Sequence, residues 1–95
     1  MAATVRIPAA LRALVGGRAE VAVAAGSLRD VLDALGREAP ELRARVLGEA
    51  GELRRHVNVF VNGEDMRFRD GLDTPVREGD RVAIVPAIAG GRLAP

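Results

Sequence analysis

Every second residue from Val57 to Val61 is a valine, and the run closes on Asn62-Gly63, the pair most favoured in a two-residue type I′ turn. A strand ended in this way has to double back, so residues 64–68 are expected to return beside it as a shorter strand. Part of the chain is thereby committed to a sheet. Because side chains alternate along a strand, the valines face one side and Phe60 the other.

The remaining segments arrange themselves around that hairpin. Thr4-Val5-Arg6-Ile7-Pro8 alternates and reads as a first strand ended by Pro8, with Leu11 and Leu14 packing beneath it before a turn at Gly16-Gly17. Glu20-Val21-Ala22-Val23 resumes the alternation, which makes a second hairpin. Ser27 is a helix N-cap, and Asp30 stands where it can answer that cap. Leu28, Val31, Leu32 and Leu35 then follow the spacing of one buried helical stripe. Pro40 ends this helix or opens a second short turn, and Leu42, Val46 and Leu47 allow further helix over residues 41–47. Residues 48–55 read as an irregular polar connection.

Asp70-Gly71 and Glu78-Gly79-Asp80 are turn signals, with Leu72 and Val76 between them to plug the bottom of the core. Residues 81–86 form the last strand, Val82 and Ile84 inward. Strand, strand, helix, strand, short strand, strand is an α+β pattern: a mixed sheet of four to five strands with one main helix across one face. The helical crossover makes the first and last strands parallel neighbours at the sheet centre. One domain, residues 1–89, is expected, followed by a flexible tail, residues 90–95, that carries Gly90-Gly91 and a four-residue extension.

Composition removes several function classes. The 95 residues include no cysteine and one histidine, and all fourteen basic residues are arginine. Thirteen acids alternate with them to leave a net charge of +1, and there is no tyrosine or tryptophan to stack on bases, which argues against nucleic acid as a partner. No apolar run reaches the length of a membrane span and no charged-then-apolar leader begins the chain, so a cytoplasmic protein is expected. His56, beside Arg54-Arg55, has no cysteine or second histidine with which to share a metal, and reads as a surface residue. Glu64-Asp65 reads as a pair of solvated turn residues. With no nucleophile–base pair and no ligand cluster, neither an enzyme nor a resident cofactor or metal is expected. What remains is the main chain itself. Glycine approaches another surface closely and brings no Cβ, so Gly90-Gly91, just after the last strand, suits a narrow active site belonging to another protein.

The order of elements, with Gly90-Gly91 beyond the final strand, resembles the ubiquitin-like β-grasp fold, and within it the MoaD/ThiS family of sulfur carriers. The likeness is carried by Ser27-Leu28-Arg29-Asp30-Val31-Leu32, by Val57-Asn58-Val59-Phe60-Val61-Asn62-Gly63-Glu64-Asp65, and by Glu78-Gly79-Asp80 leading to Val85-Pro86-Ala87-Ile88-Ala89-Gly90-Gly91. The final block is the specific part. The longer connection over residues 39–56, with Asp65-Met66-Arg67-Phe68, looks most like the branch that supplies sulfur to cysteine synthesis. The resemblance implies a co-substrate of other enzymes. An ATP-dependent activating enzyme would adenylate the Gly91 carboxylate, sulfide or a persulfide would displace AMP, and the thiocarboxylate would pass to an acceptor such as a pyridoxal-phosphate-dependent cysteine synthase. Carriers for molybdopterin or thiamine synthesis are siblings in that scheme.

One departure from the family pattern is Arg92-Leu93-Ala94-Pro95 after Gly91. The resemblance implies cleavage between Gly91 and Arg92, the work of a JAMM-type metalloprotease in some relatives. The competing explanation is a tail never removed, in a descendant without the carrier role. Phe60, with Val85, Pro86 and Ile88, is either an apolar docking patch for the partner enzymes or a partly covered outer sheet face. Phe68 is expected to pack in the core or the hairpin. Arg54, Arg55, Arg67 and Arg69 form either a patch for an acidic partner or a solvated surface. Two other function classes stay open: a protein modifier joined through Gly91 to a lysine of another protein, and an interaction domain with no terminal chemistry.

Overall fold

The structure, a computed structural model, describes residues 2–86. The chain starts with β1 (Ala2–Arg6), passes through a 3₁₀ segment (Ala9–Val15) and returns as β2 (Glu20–Ala24). A two-residue strand, β3 (Gly26–Ser27), leads into α1 (Leu28–Glu38) and α2 (Pro40–Val46). After a connection come β4 (Val57–Val61), β5 (Glu64–Asp65), β6 (Pro75–Val76) and β7 (Arg81–Pro86). Five strands form one mixed sheet in the order β2-β1-β7-β4-β5, and β3 pairs with β6 in a second ribbon. This is the expected ubiquitin-like β-grasp, with β1 and β7 as parallel central neighbours.

The local chemistry anticipated for α1 is present in full. Ser27 Oγ accepts from the Asp30 amide at 3.1 Å, and the Asp30 carboxylate accepts from the Ser27 amide at 3.2 Å, a reciprocal capping box. Pro40 opens α2 at its first turn, where a missing amide proton costs nothing. It also keeps Ala39 out of helical geometry, with φ at −140°, so the two helices are separate.

Leu28, Val31, Leu32 and Leu35 are buried in one cluster with Val5, Val59, Val61, Val82 and Ile84 of the sheet. Each such side chain contributes about 1.5–3 kcal/mol when removed from water, whereas an exposed ion pair contributes about 0–1 kcal/mol. Helix-on-sheet burial therefore holds the fold. At the lower end Val76 is buried and Leu72 packs partly against the core. Thr74, fully buried, satisfies its hydroxyl by donating to the Gly71 carbonyl at 2.7 Å and accepting from the Asp70 amide at 3.1 Å.

Two expectations need correction. The return strand after Asn62-Gly63 spans only Glu64–Asp65, because Asp65 caps a 3₁₀ turn (Met66–Phe68) by accepting from the Arg67 amide at 2.8 Å. That turn rotates Phe68 outward, so it is not a core or hairpin-packing residue. It is 82% exposed, and Met66 is the residue buried in its stead.

Candidate functional site

The last strand is the mechanical centre of the molecule. β7 pairs with β1 on one side, from Arg81 to Ala83, and with β4 on the other, from Val82 to Pro86. The chain is thus held by main-chain bonds up to Pro86, which lies opposite Val57. Gly90, Gly91, Arg92 and Ile88 lie outside the described residues.

The sheet face opposite the helices brings Phe60 and Val85 together. Phe60 stands opposite Ala83 and Asn58 opposite Val85, so Phe60 and Val85 are diagonal neighbours across the β4–β7 ladder. Both are half-buried, as is Pro86. Ala83 leaves room beside Phe60, and a depression of about 300 Å³ opens there, with Thr4, Arg6, Asn62 and Arg81 among its walls. Alternation along two neighbouring strands was enough to anticipate this apolar strip. Ala83 was missed, because it draws attention only when seen as the gap beside Phe60.

Arginines frame the strip. Arg67 donates through Nη1 to the Asn58 side chain and through Nη2 to the Val57 carbonyl at 3.2 Å, which ties the 3₁₀ turn to the start of β4. Arg67 also faces Asp65 at 3.8 Å, Arg69 faces Glu64 at 3.6 Å, and Arg81 faces Glu20 at 3.8 Å. Arg54 and Arg55 line a concavity beside Pro86 and Val57, the residue whose carbonyl accepts from Arg67.

One electrostatic shift borders the site. Asp80 sits below the ordinary aspartate pKa, mainly because its carboxylate accepts from the Arg77 amide, at 2.8 Å, and then because it accepts from the Asn62 side chain, at 3.0 Å. Asn62 also accepts from the Arg81 amide at 2.9 Å, so one side chain joins the β4–β5 turn to the start of β7. His56 is exposed. Among the described residues no cluster of three or more histidine, aspartate or glutamate side chains could hold a metal, and no helix is long and apolar enough to cross a membrane.

Comparison with known proteins bears on the same region. The sulfur carrier protein CysO of Mycobacterium tuberculosis H37Rv is 40% identical to this chain over 93 residues, which is 96% of this chain and all of that protein. In the crystal structure of the Amycolatopsis orientalis BexX/CysO complex, one chain superposes with a TM-score of 0.86 at 38% identity, covering 93% of this chain and 98% of that one. The crystal structure of small archaeal modifier protein 1 from Haloferax volcanii matches with a TM-score of 0.80 at 32% identity, over 95% and 99% of the two chains. Residues 5–91 match the ThiS family, a span that begins in the first strand and stops on Gly91, and this chain belongs to that family.

Proposed function

We propose that this chain is a sulfur carrier whose reactive group is the Gly91 carboxylate, working in the cytoplasm as a co-substrate. Removal of residues 92–95 by a JAMM-type metalloprotease exposes that carboxylate. An activating enzyme then joins it to AMP with loss of pyrophosphate from ATP. Sulfide attacks the acyl carbon, AMP leaves, and a thiocarboxylate remains; where an enzyme persulfide attacks instead, AMP leaves an acyl disulfide, and a second thiol of that enzyme cleaves its S–S bond, releasing the thiocarboxylate and forming a disulfide. Its sulfur passes to an acceptor enzyme, a pyridoxal-phosphate-dependent cysteine synthase on this reading. A carboxylate is a poor electrophile and the mixed anhydride supplies the missing leaving group, while glycine offers little obstruction to attack. The folded domain serves as the handle that docks and orients the reactive atom. Phe60, Val85, Pro86 and Ile88 are the docking strip, with Gly90 as the slim approach to Gly91.

The observation that supports this most is the family match running to Gly91 itself, alongside 40% identity to a sulfur carrier over its whole length. A second reading, a protein modifier joined through Gly91 to a lysine, is favoured by the 32% identity to small archaeal modifier protein 1.

Intact-mass measurement of the protein isolated from its native cell separates the readings. A species ending at Gly91 with one oxygen replaced by sulfur is the expected result. Conjugates to other proteins without that species would establish the modifier instead. Only unprocessed chain, in sulfur-starved as well as sulfur-fed cells, would overturn both.

A further inference from the structure

The chain is close to neutral, with a formal net charge of +1, but its charge is unevenly spread. A cleft of about 510 Å³ lies where β7 ends, and Pro86 forms part of its wall. Its charged lining is Arg45, Arg54 and Arg55, against Glu52 alone, and His56 adds a polar ring beside them. Three arginines against one glutamate is a larger excess than the whole molecule carries. None of the three makes an ion pair with a described residue, whereas Arg18, Arg43, Arg67, Arg69 and Arg81 each do. Leu11, Leu53 and Val57 give the cleft an apolar lining as well.

The cleft is built on anchored backbone. Leu53 bridges to Leu47, and the Arg54 amide donates to the Val46 carbonyl at 2.9 Å, which pins the connection to the end of α2. Arg54 Nε donates to the Ala44 carbonyl at 2.6 Å, so its stem is fixed and its two terminal nitrogens remain for another acceptor. Val57 and Pro86 are partners in the β4–β7 ladder. The arginine fork matches a carboxylate in two parallel hydrogen bonds, a fit that a point charge does not offer.

We infer that this cleft docks an acidic segment of the enzyme that activates the carboxyl-terminal glycine, a step that rests on the sulfur-carrier reading. Reach supports the assignment. Gly91 lies five residues beyond Pro86, and five residues span at most about 17 Å. A protein that encloses Gly91 in an active site therefore brings its own surface to the neighbourhood of Pro86, where these three arginines are. Opposite charge there raises the rate of encounter and sets the orientation of docking.

The test uses the full chain and a hexaglutamate peptide as probe, followed by amide NMR. Perturbations confined to residues near Arg45 and to residues 53–57 are expected, and they vanish in about 1 M NaCl, where the screening length is about 3 Å. They are lost in the folded variant Arg54→Glu/Arg55→Glu and retained in Arg37→Glu/Arg77→Glu, an equal charge change elsewhere. Perturbations spread over the whole surface, surviving in Arg54→Glu/Arg55→Glu, or larger with ATP than with the peptide would overturn the inference. In cells, Arg54→Glu/Arg55→Glu is expected to carry about tenfold less thiocarboxylate than Arg37→Glu/Arg77→Glu; equal amounts would also overturn it. If the unsubstituted chain never carries thiocarboxylate, the sulfur-carrier reading fails, and the peptide titration alone decides the cleft.

Discussion

Phe60 and Phe68 show how far a single residue can be read from its neighbours. Phe60 lies between two core valines, so alternation alone sends it to the outer face, and there it sits beside Ala83 and Val85. Replacing it with serine should cost about 1 kcal/mol of cross-strand packing and lower affinity for a partner enzyme about tenfold or more. Denaturation and binding measured on one sample separate the two effects, and binding unchanged in Phe60→Ser would remove the residue from the docking strip. Phe68 defeats the same logic because alternation holds only while the strand continues. Asp65 stops it two residues after the turn. An aspartate whose side chain captures the amide two residues on is a turn signal visible in principle, but a strand residue until that bond is made. Asp80 gives a pH-dependent prediction at this scale. Its folded pKa is depressed, so its contribution to stability is fully present above the ordinary aspartate value and lost as the pH falls through the depressed one. Asp80→Asn should flatten stability over that acid range and leave the neutral-to-basic side of the profile parallel to the unsubstituted chain. An unchanged acid limb would show that the Arg77 and Asn62 bonds to Asp80 carry no linkage.

Elements were recovered well wherever their signals were local. The α1 cap, its buried stripe and the Asn62-Gly63 turn all follow from residues within one or two turns of chain. Asn62 at φ 52° and Gly63 at φ 85° occupy the left-handed geometry that this hairpin turn requires. Contacts between elements were less visible. Gly36, inside α1, is buried, and a Cβ there would stand 2.9 Å from Arg43 Cβ of α2. Arg43 is itself held by Asp33 at 3.0 Å, so it has little freedom to withdraw. Gly36→Ala should gain up to about 1 kcal/mol of helix propensity and lose about 1–3 kcal/mol to overpacking. The expected net result is a chain destabilised by about 1 kcal/mol, read as a lower midpoint in urea; a higher midpoint would mean that α2 moves aside freely. From sequence alone this glycine is a mild defect in a helix. Only the crossing of two helices turns it into a requirement.

For the whole molecule the proposed division is between a domain that docks and the stretch that carries the chemistry. Among the described residues the core cluster extends from Ala3 to Ile84. On the sulfur-carrier reading, a chain ending at Pro86 loses thiocarboxylate formation entirely, and its stability against urea, within about 0.5 kcal/mol of the full chain on that reading, measures what residues 87–95 add. A large loss of stability on truncation would contradict this separation of handle from reactive end.

By itself the sequence determined the order of the five strands of the main sheet, the capped helix, the outward face of Phe60 and the family likeness that ends on Gly91, but not the β3–β6 ribbon or the length of β5. Each depends on periodicity, turn chemistry or motif order, which are properties of neighbouring residues. Tertiary structure alone decided that Ala83 opens the space beside Phe60, that Gly36 meets Arg43, and that Arg45 joins Arg54 and Arg55 beside Pro86. Those outcomes arise where distant segments cross. Their geometry is set by burying one core against one sheet, and no local pattern contains it.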